Sequence, residues 1–195
     1  MARYGKEHKE ATRQRIIETA GRRFKQDGID GSGIATLMAD AGLTNGAFYA
    51  HFTSKDDLVA TVVAGELSRQ ATNFSAAAPG RSGLEDLVRR YLSPEHRDNP
   101  AEGCPSAALL DEIGRCPEGT KRAYTDGAQV ILDEIAGRLS PENPEAARGA
   151  TISLYATMIG TLQLARALDD PQLADEVLER GLDNALTLLG ADLQA

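Results

Sequence analysis

The 195-residue chain has no tryptophan, and its rings and sulfurs are few: four Phe, five Tyr, three His and two Cys. Two cysteines do not make a disulfide framework, so a reducing cytoplasm is the expected compartment. With no CxxC or HxxxH spacing among those residues, no structural zinc and no other metal or cofactor is expected. No apolar run reaches the roughly 18 residues of a membrane span, so no membrane partner is expected. The opening MARYGKEHKEATRQR is charged with no apolar segment behind it, so a secretory leader is not expected either. Alternating runs of β-branched residues are nearly absent, which excludes an extensive sheet.

Acidic charge dominates, at a net −8, and by itself that argues against a nucleic-acid partner. The distribution argues the other way. Residues 1–25 carry eight Lys and Arg against three Glu, a net +5, whereas residues 58–195 carry 12 basic and 21 acidic side chains. A basic end on an acidic body is the asymmetry expected where one end meets a polyanion. A solvated first helix would have the same charges.

The apolar residues recur at helical spacing almost throughout. Ile16, Ile17, Ala20 and Phe24 predict a helix over residues 8–27, stopped at Gly28. A short helix is predicted over 34–41, closed by Gly42, and another over 45–52, with Thr44 able to cap it. Ser54, followed three residues later by Asp57, opens a long helix to about residue 74. Further helices are predicted at 82–92, 106–115, 118–139, 145–168 and 171–189, with SPEHRDNPAEGCP between the first two read as a loop. The fold class is all-α.

The stretch LTNGAFYAHFTSKDDL gathers Phe48, Tyr49, His51 and Phe52 behind a polar Thr44-Asn45-Gly46. Two short helices joined by a glycine turn, the second led by small polar residues, form a helix-turn-helix pattern. In that motif the second helix enters the DNA major groove. Phe48 and Phe52, one turn apart, can face inward with Leu37, Met38, Ala41 and Leu43. Tyr49 and His51 lie on other faces, where a phenol and an imidazole can donate to phosphate. Gly46 and Ala47 stay small where the groove comes close. Lys55, unfavourable for the dipole of the helix it opens, would be explained by a phosphate.

The run IIETAGRRFKQDGIDG…LMADAGLTNGAFYAHFTSKDDL, with its Ala-Gly-Leu-Thr turn and Phe-Tyr-x-His-Phe cluster, resembles the DNA-binding domain of the TetR (tetracycline repressor) family over some 45 residues. The resemblance implies an N-terminal three-helix DNA-binding domain over 1–54 and a larger helical ligand-binding and dimerisation domain over 55–195. It implies a homodimeric transcriptional regulator, most often a repressor, with double-stranded operator DNA and a small-molecule inducer as partners. Thr44, Tyr49, His51 and Lys55 then match phosphate-contacting positions, and Asn45, Gly46 and Ala47 match the base-facing edge. Family members often carry Arg or Lys near the start of the first motif helix. This chain has Ala35 and Thr36 there, which leaves Thr36 as that helix's candidate contact.

In the C-terminal half, the apolar faces of 145–168 and 171–189, including Leu162 and Leu182, suit either an internal core or the four-helix dimer interface that the resemblance implies. Tyr91, His96, Cys104, Tyr124, Gln129 and Tyr155 are the candidate polar and aromatic lining of a ligand pocket. Two other functions compete: a cysteine-dependent enzyme with Cys104 as nucleophile and His96 as base, and a helical small-molecule binding protein whose DNA head is vestigial. If 106–115 is one helix, Cys104 and Cys116 sit at its opposite ends, roughly 18 Å apart and beyond disulfide reach. Cys104, at the N-terminal end, is then the more reactive thiol by the helix dipole.

Overall fold

The computed structural model describes residues 2–190, with side chains from Glu7 onward, so Arg3 and Lys6 of the basic segment lie outside the described side chains. Every regular element among the described residues is helical. Helix α1 (Ala2–Asp27) buries Ile16, Ala20 and Phe24 on one stripe. It starts earlier than the apolar periodicity, because polar residues continue a helix as readily as apolar ones begin its buried face.

Two short elements cross under α1. Helix α2 (Ile34–Asp40) buries Leu37 and Met38, and Arg23 of α1 holds Asp40 at 2.8 Å while also bonding Asp27. The chain then reverses at Gly42, whose φ of +67° is the left-handed conformation a side chain disfavours. The Gly42 N–H bonds the Ala39 carbonyl and the Leu43 N–H bonds the Met38 carbonyl, closing the end of α2.

The second motif helix departs from expectation. Residues Asn45–Ala50 form a 3-10 helix, and the Thr44 side chain makes no capping hydrogen bond. Tighter three-residue bonds close it, from the Ala47 N–H to the Thr44 carbonyl at 3.0 Å and from the His51 N–H to the Phe48 carbonyl at 2.9 Å. Its position is fixed by Phe48 and Phe52, both buried, with ring centroids 5.7 Å apart.

Helix α3 (Lys55–Ala76) opens as the sequence indicates. Ser54 accepts the Asp57 N–H at 3.1 Å, and the Asp57 carboxylate reaches back to the N–H and hydroxyl of Thr53. This helix is shared by both ends of the molecule. Leu58 and Val59 join the core under α1, and further along it packs against α7 (Glu118–Leu139), whose Gly127 faces Leu67. Between them in sequence lie α4 (Gly80–Tyr91), α5 (Pro94–Asp98), a 3-10 turn (Pro100–Glu102) and α6 (Pro105–Arg115). The segment expected to be a loop therefore contains a short helix, started by Ser93 accepting the His96 N–H, with Pro94 at its first turn.

Helices α8 (Pro144–Ala167) and α9 (Pro171–Gly190) pack closely together, with Gly181 beneath Thr161. Leu162 faces the interior of the chain itself, and Leu182 is half-buried. The outward stripe of α8 is instead Ile152, Ala156, Gly160 and Leu164, exposed at four-residue spacing.

Where α1 crosses α3, the Lys25 ammonium pairs with the Glu66 carboxylate at 2.7 Å, and the Lys25 side chain is 0% exposed. Lys25 also donates to the Gly103 carbonyl at 3.1 Å, and Arg69 supports Glu66 at 2.6 Å. Gly21 makes the crossing possible, for a Cβ there would stand 2.7 Å from a Glu66 oxygen. A buried pair adds little net stability, but losing one partner strands the other. Lys25→Met, which leaves Glu66 its bond to Arg69, should cost about 3 kcal/mol in urea unfolding. Glu66→Ala, which strands a wholly buried ammonium, should cost more; equal losses would refute this ranking.

Candidate nucleic-acid interface and buried cavity

The outer face of the N-terminal elements is polar and open. Thr44 precedes the 3-10 helix, and its side chain makes no capping hydrogen bond, so its hydroxyl is not consumed by the backbone of that helix. Asn45 and Gly46 are exposed, with no heavy atom within 4 Å of where a Gly46 Cβ would lie. Tyr49 is 68% exposed, its ring set edge-on to Phe48 at 5.2 Å. The buried neighbour thus orients the exposed phenol. Thr36 stands exposed on α2. Ala47 differs from the expectation of a fully outward edge, because it packs in part against the core.

Lys55 differs too. Its ammonium donates to the Ile29 carbonyl in the turn after α1, so the charge has an internal partner that the sequence reading did not foresee. The bond uses one of three ammonium protons. The same turn is docked on α6, where Glu112 accepts the Asp30 N–H at 3.0 Å.

His51 brings α1 into the same surface. Burial, then the charges of Lys9 and Arg13, lower its pKa from the ordinary 6.5, with Glu10 opposing. Its Nδ1 is buried with no hydrogen-bond partner. The Arg13 guanidinium lies 4.7 Å above the Phe52 ring. Lys9 and Arg13 were counted in the basic segment but not as members of a site. They lie 15 and 11 residues before Phe24, and their charge alone gave no signal of which neighbours they would meet.

The inner site is a cavity of about 430 Å³ between α3, α4 and the connection leading into α6. Tyr91, His96 and Cys104 line it. Tyr124 and Tyr155 do not. They stand behind it, both bonded to the Ser106 hydroxyl, at 3.0 and 2.8 Å. Burial raises the pKa of both phenols. Gln129 is a correction: it lies on the other side of α7, joined to Asp133 and Arg148 at 2.6 and 2.9 Å. Helical periodicity identified it as partly buried without telling which neighbour it meets. Glu66, Arg69, Gln70 and Asn73, on one face of α3, line the cavity and were missed. Their spacing of three and four residues was available, but a polar face of that kind usually belongs to solvent.

The imidazole of His96 is fixed at both nitrogens. Nδ1 donates to the Tyr91 carbonyl at 2.7 Å, and Nε2 accepts the Cys104 N–H at 3.0 Å. That requires the neutral ring, and burial lowers its pKa accordingly. Neither nitrogen is left to take a proton from the Cys104 thiol, which exchanges hydrogen bonds with Gln70 instead. The arrangement does not supply a nucleophile–base pair. Cys104 and Cys116 occupy the two ends of α6, both as free thiols, and burial raises the pKa of Cys116. No cluster able to hold a metal ion occurs among the described residues, and no described helix is long and apolar enough to cross a membrane.

Comparison with known proteins places this geometry. The family described as bacterial regulatory proteins, tetR family, matches residues 16–62. The chain is 31% identical over 185 residues to the HTH-type transcriptional repressor Rv1474c of Mycobacterium tuberculosis, covering 92% of this chain and 95% of that one. It is 39% identical over 62 residues to the HTH-type transcriptional regulator AcrR of Shigella flexneri, covering 32% of this chain but only 29% of that protein. Among solved structures, reduced NemR of E. coli superposes with a TM-score of 0.77 at 19% identity, over 91% of this chain and 96% of that one, a likeness of fold.

If His51 meets a phosphate, binding raises its pKa, so binding takes up a proton between the lowered free value and the raised bound one. DNA affinity should therefore increase as pH falls through that window, by at most about tenfold per unit for one proton. His51→Gln should flatten that slope in anisotropy titrations at constant ionic strength. The folded protein itself should lose stability below 6.5, because the unfolded His51 binds protons more readily. A slope unchanged in the variant would remove His51 from the interface.

Proposed function

The chain belongs to the TetR family of bacterial regulatory proteins, and we propose that this transcriptional regulator is a cytoplasmic repressor that holds a palindromic operator as a homodimer and releases it when a small molecule enters the cavity. The observation that carries the reading is the exposed edge Thr44-Asn45-Gly46 and Tyr49, held outward by the buried anchors Phe48 and Phe52. Residues 1–54 act as the DNA-binding domain and residues 55–195 as the ligand-binding and dimerisation domain. Thr44, Tyr49, His51 and Lys55 position the head on phosphates. Asn45, Gly46 and the outward part of Ala47 face bases, with Thr36 contributing from α2.

Dimerisation uses the exposed stripe of α8. Ile152, Ala156, Gly160 and Leu164 combine two large apolar side chains with two small ones, which lets a second helix approach closely. The enzyme reading is disfavoured by the engagement of both His96 nitrogens. A binding protein with a vestigial DNA head would not need a polar, solvent-open recognition edge.

The direct test is binding to the DNA upstream of the protein's own coding sequence, across a salt series. Affinity should fall steeply with salt, and the protected site should be a palindrome with half-site centres about 34–36 Å apart or a multiple of that. Tyr49→Phe should weaken all sequences alike, whereas Asn45→Ala should relax base preference, by about 1–3 kcal/mol at one position. A sequence-dependent effect of Tyr49→Phe would reverse these roles.

Leu164→Glu, at a position 54% exposed in the single chain, should leave helicity intact while converting dimer to monomer in light scattering. Tight operator binding should disappear with the dimer. A monomeric variant with full affinity would break that linkage.

A further inference from the structure

We infer that Lys9 and Arg13 of α1 form a phosphate clamp beside the recognition edge, extending the DNA contact of the head onto the sugar–phosphate backbone. The inference rests on the regulator reading for the partner being DNA, and on the placement of these two side chains for the contact itself.

The buried stripe of α1 runs back from Phe24 through Ala20 to Ile16 at steps of four residues. Continued toward the N-terminus at steps of three and four, the same stripe reaches Arg13 and then Lys9. The face that packs the helix onto the head therefore turns basic where the buried core ends. Arg13 is half-buried, its guanidinium 4.7 Å from the centre of the Phe52 ring, and Lys9, one turn further out, is exposed. Phe52 in turn stacks on Phe48, which anchors the segment that carries Tyr49 outward. One buried ring thus sets the basic end of α1 beside the recognition edge.

The two charges have no counterpart in the protein. Beyond the ring contact, neither forms a hydrogen bond or an ion pair among the described residues. They stand four residues apart on one helix, where like charges repel. Both also oppose the protonation of His51, with Glu10 acting the other way. Cations further along the same helix are neutralised: Arg23 holds Asp27 and Asp40, and Lys25 holds Glu66. An uncompensated pair of cations beside a polar edge fits an anion that lies outside the protein. A guanidinium stacked on a ring keeps its N–H edge free, and a phosphate offers oxygens to that edge and to an ammonium together. Such contacts fix position without reading sequence.

Arg15 and Arg22 provide the internal comparison. Both are exposed, and neither is ion-paired among the described residues, yet helical geometry turns them to the side of α1 away from Arg13. A clamp needs Lys9 and Arg13, whereas a generally basic helix would use all four alike.

The test titrates the full chain by anisotropy, across a salt series, with two duplexes: one from upstream of its own coding sequence and one with that sequence scrambled. Lys9→Gln and Arg13→Met, the second keeping an apolar stem on Phe52, should each weaken both duplexes alike, by about tenfold at low salt. The plot of log affinity against log salt should become shallower by about one for each head bound. Arg15→Gln and Arg22→Gln should leave that slope unchanged. In the free protein, both clamp variants should raise the His51 pKa, read from its ring-proton shifts without any DNA. Lys9 is exposed, so Lys9→Gln keeps a readout if Arg13→Met fails to fold. Wild-type slopes in the clamp variants, equal changes in all four variants, or a His51 that titrates as in wild type would each overturn the inference. Equal affinity for the two duplexes, with the clamp variants still shallower, would sink the upstream-operator reading and support the clamp. A preference for the upstream duplex with unchanged slopes would do the reverse, and no binding of either duplex would overturn both.

Discussion

One buried ion pair ties the two ends of this molecule. Lys25 belongs to the helix that carries the DNA head, Glu66 to the helix that walls the cavity, and they meet where the ammonium is wholly buried and the carboxylate nearly so. An ammonium buried this completely is tolerable only if its partner stays in place, since the cost of exposing it to an unpaired interior is several kcal/mol. The Gly103 carbonyl, also on the cavity lining, is its second anchor. The head can therefore not shift along α3 without disturbing the cavity wall, and the wall cannot shift without disturbing the head.

That arrangement gives a physical route between a ligand and DNA. The α3 helix is unbroken between its Ser54 cap and Glu66, and the recognition edge hangs from the residues just before that cap. A second strut runs parallel to it. The turn after α1 is bonded to Lys55 at the start of α3 and to Glu112 on α6, whose N-terminus begins at the cavity with Cys104. A change in either wall of the cavity thus arrives at the head through a helix rather than through a flexible link. Two such connections make a tilt of the head more natural than a local loosening.

Much of the fold was legible because its signals are local. Apolar spacing located the long helices, Gly28 and Gly42 marked the ends of α1 and α2, and Ser54 with Asp57 gave the start of α3. The sorting of Phe48 and Phe52 inward and Tyr49 outward followed from helical geometry and survived the change from α to 3-10, because a six-residue segment turns too little for the two to diverge. What stayed hidden depends on neighbours distant in sequence. Lys25 and Glu66 look like surface charges until α1 crosses α3. Gln129 and Leu162 sit on helices with broad half-buried faces, and periodicity cannot say which partner each face meets. The short helix at Pro94–Asp98 lay within a stretch whose prolines and polar residues read as loop, although Ser93-Pro94 is a start signal.

The buried ammonium of Lys25 also bears on how such regulators can be recombined. A DNA head joined at residue 54 to a foreign body would carry Lys25 with it, and the graft would succeed only where the recipient places a carboxylate opposite and leaves a backbone carbonyl within reach. Cut points chosen by sequence alone would miss this, since the seam between donor and recipient runs through the middle of α3 rather than at its first residue. Compatibility between heads and bodies is then a matter of one inherited salt link, and chimeras lacking it should be sought among pairs in which both halves have exchanged their charges for apolar side chains.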